Sequence, residues 1–319
     1  MTATVRIATR ASELALRQAR MVQAALEAGG TPSELVTFKT VGDKKLDESL
    51  SAIGAKGLFT KELEDALATG KVDCCVHSLK DLPTDMPAGL AIVAMLIRED
   101  PRDVLVVNDG IFAESLDDLP RGCRVGTSSL RRRAQLLHCR SDLEVVELRG
   151  NVPTRLRKVD EGQVHAAILA GAGLKRLEAE QRIDAWLDAP GWLPAAGQGV
   201  IAVEAREDDA RMSELLASIH HAPSAFAARA ERSLLAALDG GCQVPIGALL
   251  IGAGVDATLH ALVSDLHGKK LLRGSMSVGS QSAEEVGTAL AAQMRRDGAT
   301  EILAGVRADT VKIPSPQPE

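Results

Sequence analysis

Aromatic side chains are almost missing from this 319-residue chain: four Phe, two Trp and no Tyr. Binders of single-stranded nucleic acid stack bases on such rings, so that class of partner is not expected. Long hydrophobic runs are missing too. No segment approaches the roughly 20 apolar residues of a membrane helix, and Met1 to Ile7 does not pair a basic segment with a signal core. The expected location is the cytoplasm, without membrane attachment. Cysteine is scarce and odd in number, five in all, which fits free thiols in a reducing compartment better than a disulfide framework. There is no Walker-type phosphate loop. Gly171-Ala172-Gly173 continues to Arg176 rather than to a third glycine, which fails the dinucleotide fingerprint. His220-His221 lacks both the helical i, i+4 spacing and a neighbouring thiol for zinc, so no metal is expected.

What remains is a globular chain, 45% hydrophobic and 25% charged, long enough for two or three domains. Its net charge of −6 is unevenly spread: from Arg121 to Arg182 there are 13 Lys/Arg against 7 Asp/Glu. The basic character is local, as it would be around a small polyanion.

The first two thirds alternate strand and helix patterns. Strands are expected at Val5–Ala8, Leu35–Thr40, Val72–Val76, Val104–Val107, Arg124–Val125, Val145–Leu148 and Ala166–Leu169. Between them, Ser12–Ala28 reads as a helix stopped by Gly29-Gly30. Phe59, Leu63 and Leu67 recur at four-residue spacing on a helix closed by Gly70, and another helix starts near Ser129. The last third differs. Pro223 opens a helix to about Leu238, three short strands within 249–278 suggest an antiparallel meander, and Ser282 with Glu285 forms a capping box for a helix stopped at Gly298. The expected fold is α/β: two doubly wound, periplasmic-binding-protein-like domains plus a smaller α+β C-terminal domain. Residues 1–99 with 197–219 form the first, 100–196 the second and 220–310 the third, with 311–319 a disordered tail.

Ligands of open α/β sheets sit beyond the carboxyl ends of strands, so polar residues directly after apolar runs are the candidates. Thr9-Arg10-Ala11-Ser12 places a guanidinium and a hydroxyl at a helix N-terminus, where Ser12 also reads as a plain N-cap. His77-Ser78-Leu79-Lys80-Asp81-Leu82-Pro83 follows an apolar strand with side chains of different acid–base character. Asp81 is either a turn residue or a carboxylate suited to stabilising a cation. Basic residues end several further strands: Arg131, Arg132 and Arg133, then Arg149 and Arg155, then Lys175 and Arg176. At 100° per residue the first three cannot share one helix face. Singly, each could be an exposed ion pair worth about 0.2–1 kcal/mol; as a set they suit forked recognition of carboxylates or phosphates. Asp239-Gly240-Gly241-Cys242-Gln243-Val244-Pro245 puts a thiol in a flexible loop, whereas Cys74 and Cys75 read as inert packing in a strand.

Together, Ile7–Arg10, Gly57–Glu64, His77–Pro83, Gly126–Arg132, Leu148–Asn151 and Gly240–Gly247 resemble the porphobilinogen deaminase (hydroxymethylbilane synthase) family, over about Val5 to Ala304. The resemblance implies a transferase that joins four porphobilinogens head to tail, releases ammonia at each step and yields hydroxymethylbilane for porphyrin biosynthesis. It implies a dipyrromethane cofactor bound through a thioether to Cys242 and a catalytic carboxylate at Asp81. Arg10, Ser12, Lys80, Thr127, Ser129, Arg131, Arg132, Arg149, Arg155 and Arg176 fall at positions that hold acetate and propionate groups, with Gln198 in the same cleft. Lys56 and Phe59 fall on a loop that covers the site, where Ala52 departs from the lysine of some relatives. Arg133 and Arg157 are not carried over. A monomer that passes its product to uroporphyrinogen-III synthase is implied as well. The competing expectation is a non-catalytic two-lobed anion-binding protein.

Overall fold

The computed structural model describes residues 4–40, 60–240 and 244–311. The chain enters on a largely buried strand, β1 (Val5–Arg10), which leads almost directly into helix α1 (Glu13–Ala28). Gln18, Val22 and Leu26, four residues apart, form the buried face of α1. Strand β2 (Ser33–Phe38) runs parallel to β1 on one side. After helix α2 (Lys61–Ala68), β3 (Cys74–Ser78) pairs parallel on the other. It starts later than the apolar run suggests, because Asp73 is occupied: its carboxylate accepts from the Arg6 backbone N–H at 2.8 Å and from the Arg6 guanidinium.

Strand β4 (Leu90–Met95) closes the far edge of this sheet, and β10 (Ile201–Arg206) inserts between β3 and β4, antiparallel to both. The order is β2-β1-β3-β10-β4. A second sheet is built from β5 (Asp103–Val107), β6 (Arg124–Gly126), β7 (Glu144–Val146), β8 (Ala166–Ala170) and β9 (Ala185–Leu187) in the order β7-β6-β8-β5-β9. Here β5 is the reversed strand, antiparallel to β8 and β9, while β6 runs parallel to β7 and β8. The two lobes therefore share one topology. In each, the reversed strand is the one that has just crossed from the other lobe, through residues 96–102 into β5 and 188–200 into β10.

Helices α3 (Leu130–Cys139), α4 (Val152–Asp160) and α5 (Gly171–Arg176) follow β6, β7 and β8, and α6 (Ala210–Ala217) follows β10, burying Met212 and Leu216 in the first core. The third unit is the expected antiparallel meander, β11 (Ile246–Ile251), β12 (Thr258–Ser264) and β13 (Leu271–Ser277). It packs on α7 (Ala222–Ala237) and α8 (Ala283–Met294), whose N-terminus carries the Ser282–Glu285 capping box. Gly298, at φ 109°, breaks the helical path as expected. A further helix, α9 (Thr300–Val311), then returns Leu303 to the same core. No helix among the described residues is long and apolar enough to cross a membrane.

Candidate active site

The carboxyl ends of both sheets supply the candidate residues. In the first lobe, Ser12 caps α1 by accepting from Ala15 N at 3.4 Å, and Arg10 stands half-buried at the end of β1. β3 passes into a single 3₁₀ turn, Leu79–Asp81, anchored by buried Leu79, whose N–H donates to Val200 O at 3.0 Å. That anchor leads directly into Lys80 and Asp81. Lys80 Nζ donates to Gln198 Oε1 at 3.1 Å. Asp81 is exposed and lines a small pocket with Arg10, Gln18, Thr60, His77 and Ser78. Burial pushes the Lys80 ammonium down to about 8; nearby Arg132 adds to the shift and Asp81 opposes it.

In the second lobe, Thr127 is buried and its Oγ1 accepts from Ser129 N at 3.2 Å, while Ser129 caps α3 by accepting from Arg132 N. Arg131 and Arg132 both lie inside. Arg131 Nη1 and Arg132 Nη2 each reach the fully buried Asp103 carboxylate at 2.7 Å, and Trp192 Nε1 and Gln198 Nε2 donate to it at 2.8 Å. Burial alone would raise the Asp103 carboxyl, but the two guanidiniums hold it far below the usual carboxylate range. Arg132 retains a buried Nε with no partner. Arg133, one of the three arginines that cannot share a helix face, donates to Leu266 O at 3.3 Å and so touches the third unit.

Arg149 Nε meets Glu147 at 2.6 Å, and Arg155 Nε donates to Gly150 O at 2.8 Å. Burial lowers Arg155 to about 10; Arg132 lowers it further, and the Asp81 carboxylate counters. Arg176 Nη2 donates to Gly199 O at 2.6 Å, and its buried Nε has no partner. A side chain at Gly199 is barred: φ is +89° and a Cβ would collide with Glu99 O. Gln198 links the lobes, accepting from Lys80 while donating to Asp103 and to Pro101 O.

The structure thus places Asp81, Lys80, Arg132, Arg155 and Gln198 in one electrostatic neighbourhood. Ser12, Ser129 and Arg131 are engaged locally, as caps or by Asp103. Lys56, Phe59 and Cys242, with Ala52, lie outside the described residues. Sequence reading overlooked Asp103, a charge that opens an otherwise apolar strand, and such a position is a signal for a buried counter-ion. It also overlooked Glu204, fully buried in β10 and bonded through Oε2 to His77 Nε2 at 3.0 Å. Cys75, His77 and Glu204 lie close together, but His77 and Glu204 face each other directly and Cys75 Sγ donates to Leu63 O, so the cluster is a hydrogen-bonded one. Cys74 and Cys75 are buried, and burial drives both thiols upward in pKa, Cys74 to about 12.

Two open α/β lobes that bring an exposed carboxylate, Asp81, together with several cationic side chains define a class of protein suited to an anionic ligand. The comparisons with known proteins give this class a family. Residues 5–214 match the model described as "Porphobilinogen deaminase, dipyromethane cofactor binding domain", and 225–296 match "Porphobilinogen deaminase, C-terminal domain". The chain is 50% identical to porphobilinogen deaminase of Moorella thermoacetica over 97% of its length and 98% of the relative's. It is 48% identical to that of Syntrophotalea carbinolica over 95% and 96%. Among solved structures, the methionine-binding protein MetQ aligns with a TM-score of 0.43 at 16% identity, covering 68% of this chain and 88% of that one. The chain belongs to the porphobilinogen deaminase family.

Proposed function

We propose that the chain catalyses the stepwise head-to-tail condensation of four porphobilinogens, with loss of ammonia at each step, to give hydroxymethylbilane, working from a dipyrromethane primer attached to Cys242. The observation that carries this reading is the exposed carboxylate of Asp81, which lines a small pocket with Arg10 and stands electrostatically opposite Lys80 and Arg155. The primer's carboxylates match what the site offers: Arg132 and Arg176 each have a buried Nε in need of an acceptor. Arg10, Ser12, Lys80, Thr127, Ser129, Arg131, Arg132, Arg149, Arg155, Arg176 and Gln198 would hold it and the growing chain. When bound, the primer supplies the tethered pyrrole carbon that accepts the first incoming unit.

The residues divide two opposed tasks. Breaking the C–N bond of porphobilinogen releases ammonia and leaves a cationic methylene-pyrrolenine, which neighbouring guanidiniums destabilise. The Asp81 carboxylate offsets that repulsion where the charge develops. Bond formation to the chain's terminal ring carbon then leaves a surplus proton on that carbon, within the remit of the same carboxylate as a base. The arginines meet the opposite need. Each ring brings two carboxylates, and charge-assisted hydrogen bonds to them are worth about 1.5–3 kcal/mol each where water is excluded.

The same reading divides the chain into 1–99 with 197–219, 100–196 and 220–310, and places Lys56 and Phe59 on a covering loop. It also makes the protein a cytoplasmic monomer whose product passes to uroporphyrinogen-III synthase. Intact mass after acid denaturation tests it, with porphobilinogen turnover in parallel. The unsubstituted protein should carry a two-pyrrole adduct, Asp81→Asn should keep the adduct and lose most turnover, and Cys242→Ser should lack the adduct. A bare polypeptide without turnover would return the chain to the class of non-catalytic anion binders.

A further inference from the structure

Beneath Asp81 lies a buried acid–base cluster to which the reaction above gives no role. His77 and Glu204 sit on one face of the first sheet, on the antiparallel pair β3 and β10, where Cys75 is opposite Glu204 and Ala202 opposite His77. Glu204 has no solvent exposure and His77 only 6%, and they meet through Nε2 and Oε2 at 3.0 Å. Glu204 Oε1 is buried without a partner. Among the described residues, the charged and titratable groups facing this pair are few. Cys75, on β3, donates to Leu63 O. Arg206, on β10, spends its guanidinium on Asp209, Leu67 O and Val72 O. Glu64, on α2, is raised by burial and further by Glu204, and lowered by His77. Arg10 from β1 and Asp81 from the 3₁₀ turn share with His77 the wall of the small pocket. A carboxylate so far from water needs a polar partner, and the His77 ring is the one in contact.

Resting on the function proposed above, we infer that His77, oriented by Glu204, is a positioning residue for Asp81: their buried hydrogen bond holds His77 in the wall of the pocket and fixes the end of β3 from which Lys80 and Asp81 project. The link is short. Three residues separate His77 from Asp81 along the strand and Ser78, and Ser78 is itself held by Gln18 at 2.8 Å.

The test is steady-state turnover of porphobilinogen by the primed protein from about pH 6 to 9, with Glu204→Gln as the probe and Cys75→Ala as a packing control in the same cluster. Glu204→Gln should keep the primer, hold KM within about twofold, lower kcat about tenfold and displace the pH–rate profile, whereas Cys75→Ala leaves the profile in place. Unchanged kcat and profile in Glu204→Gln, or the same displacement in Cys75→Ala, would overturn the inference. So would a metal ion retained in the cluster by native mass spectrometry. Where Glu204→Gln does not fold, His77→Gln is measured instead and its profile decides the matter. A primed, unsubstituted protein that turns over shows the underlying reaction intact, so an unmoved profile then counts against the buried pair alone; no turnover in that protein counts against the reaction.

Discussion

Lys80 ties a measurable pH effect to one nitrogen atom. Its ammonium is brought down to about 8 by burial first and by Arg132 second, so it loses its charge as pH rises through that value. A depressed lysine favours the neutral form in the folded protein, and a bound carboxylate pulls the other way. The KM for porphobilinogen should therefore rise severalfold from pH 7 to 9, and Lys80→Arg should flatten that rise because guanidinium stays charged throughout. A KM equally dependent on pH in both proteins would remove Lys80 from carboxylate binding. Much at this scale was legible. Ser12 and Ser282 announce themselves as caps by position, and the structure confirms both. The partners of Arg131 and Arg132 were not legible, because a side chain's choice between a ligand carboxylate and Asp103 is settled by three-dimensional placement.

At the scale of elements, Asp103 joins pieces that are distant in sequence. It opens β5, receives two arginines from α3, and takes hydrogen bonds from Trp192 and Gln198 on the second crossover. Removing one partner of such a buried pair strands the others, at a cost of about 3–5 kcal/mol. Asp103→Ala should lower stability by that order in chemical denaturation, while Arg157→Ala, on an exposed i, i+4 pair with Glu161, should cost under about 1 kcal/mol. Similar losses in both would contradict the buried network. Helix α2 was readable from the spacing of Leu63 and Leu67, and α1 and α7 from the residues that open or stop them. Strands β4, β9 and β10 and helices α4, α5 and α6 were passed over, as was α9 beyond the Gly298 stop. They are short, or their apolar runs carry no alternation because both faces are covered, as in Ile201–Ala205. Strand direction is invisible to any such pattern, so the reversed β5 and β10 emerged only from the sheet registers.

Across the whole molecule, one buried pair ties both crossovers to the third unit. Arg98 on the first crossover reaches Glu231 of α7 through Nη1 at 2.6 Å. Glu231 also accepts from Gly197 N on the second crossover and from Leu250 N in β11. The crossovers have a further consequence, for the order in which a growing polypeptide takes shape. The strands of the second sheet lie within Asp103–Leu187 and are complete once that stretch has left the ribosome, but the first sheet waits for Ile201–Arg206 to fill the gap between β3 and β4. A nascent chain arrested with Ala195 clear of the exit tunnel should resist protease across the later-made lobe while the earlier-made one is still cut. Synthesis thus begins one lobe first and finishes it second, leaving the unpaired edges of β3 and β4 as the stretch most in need of shielding during translation.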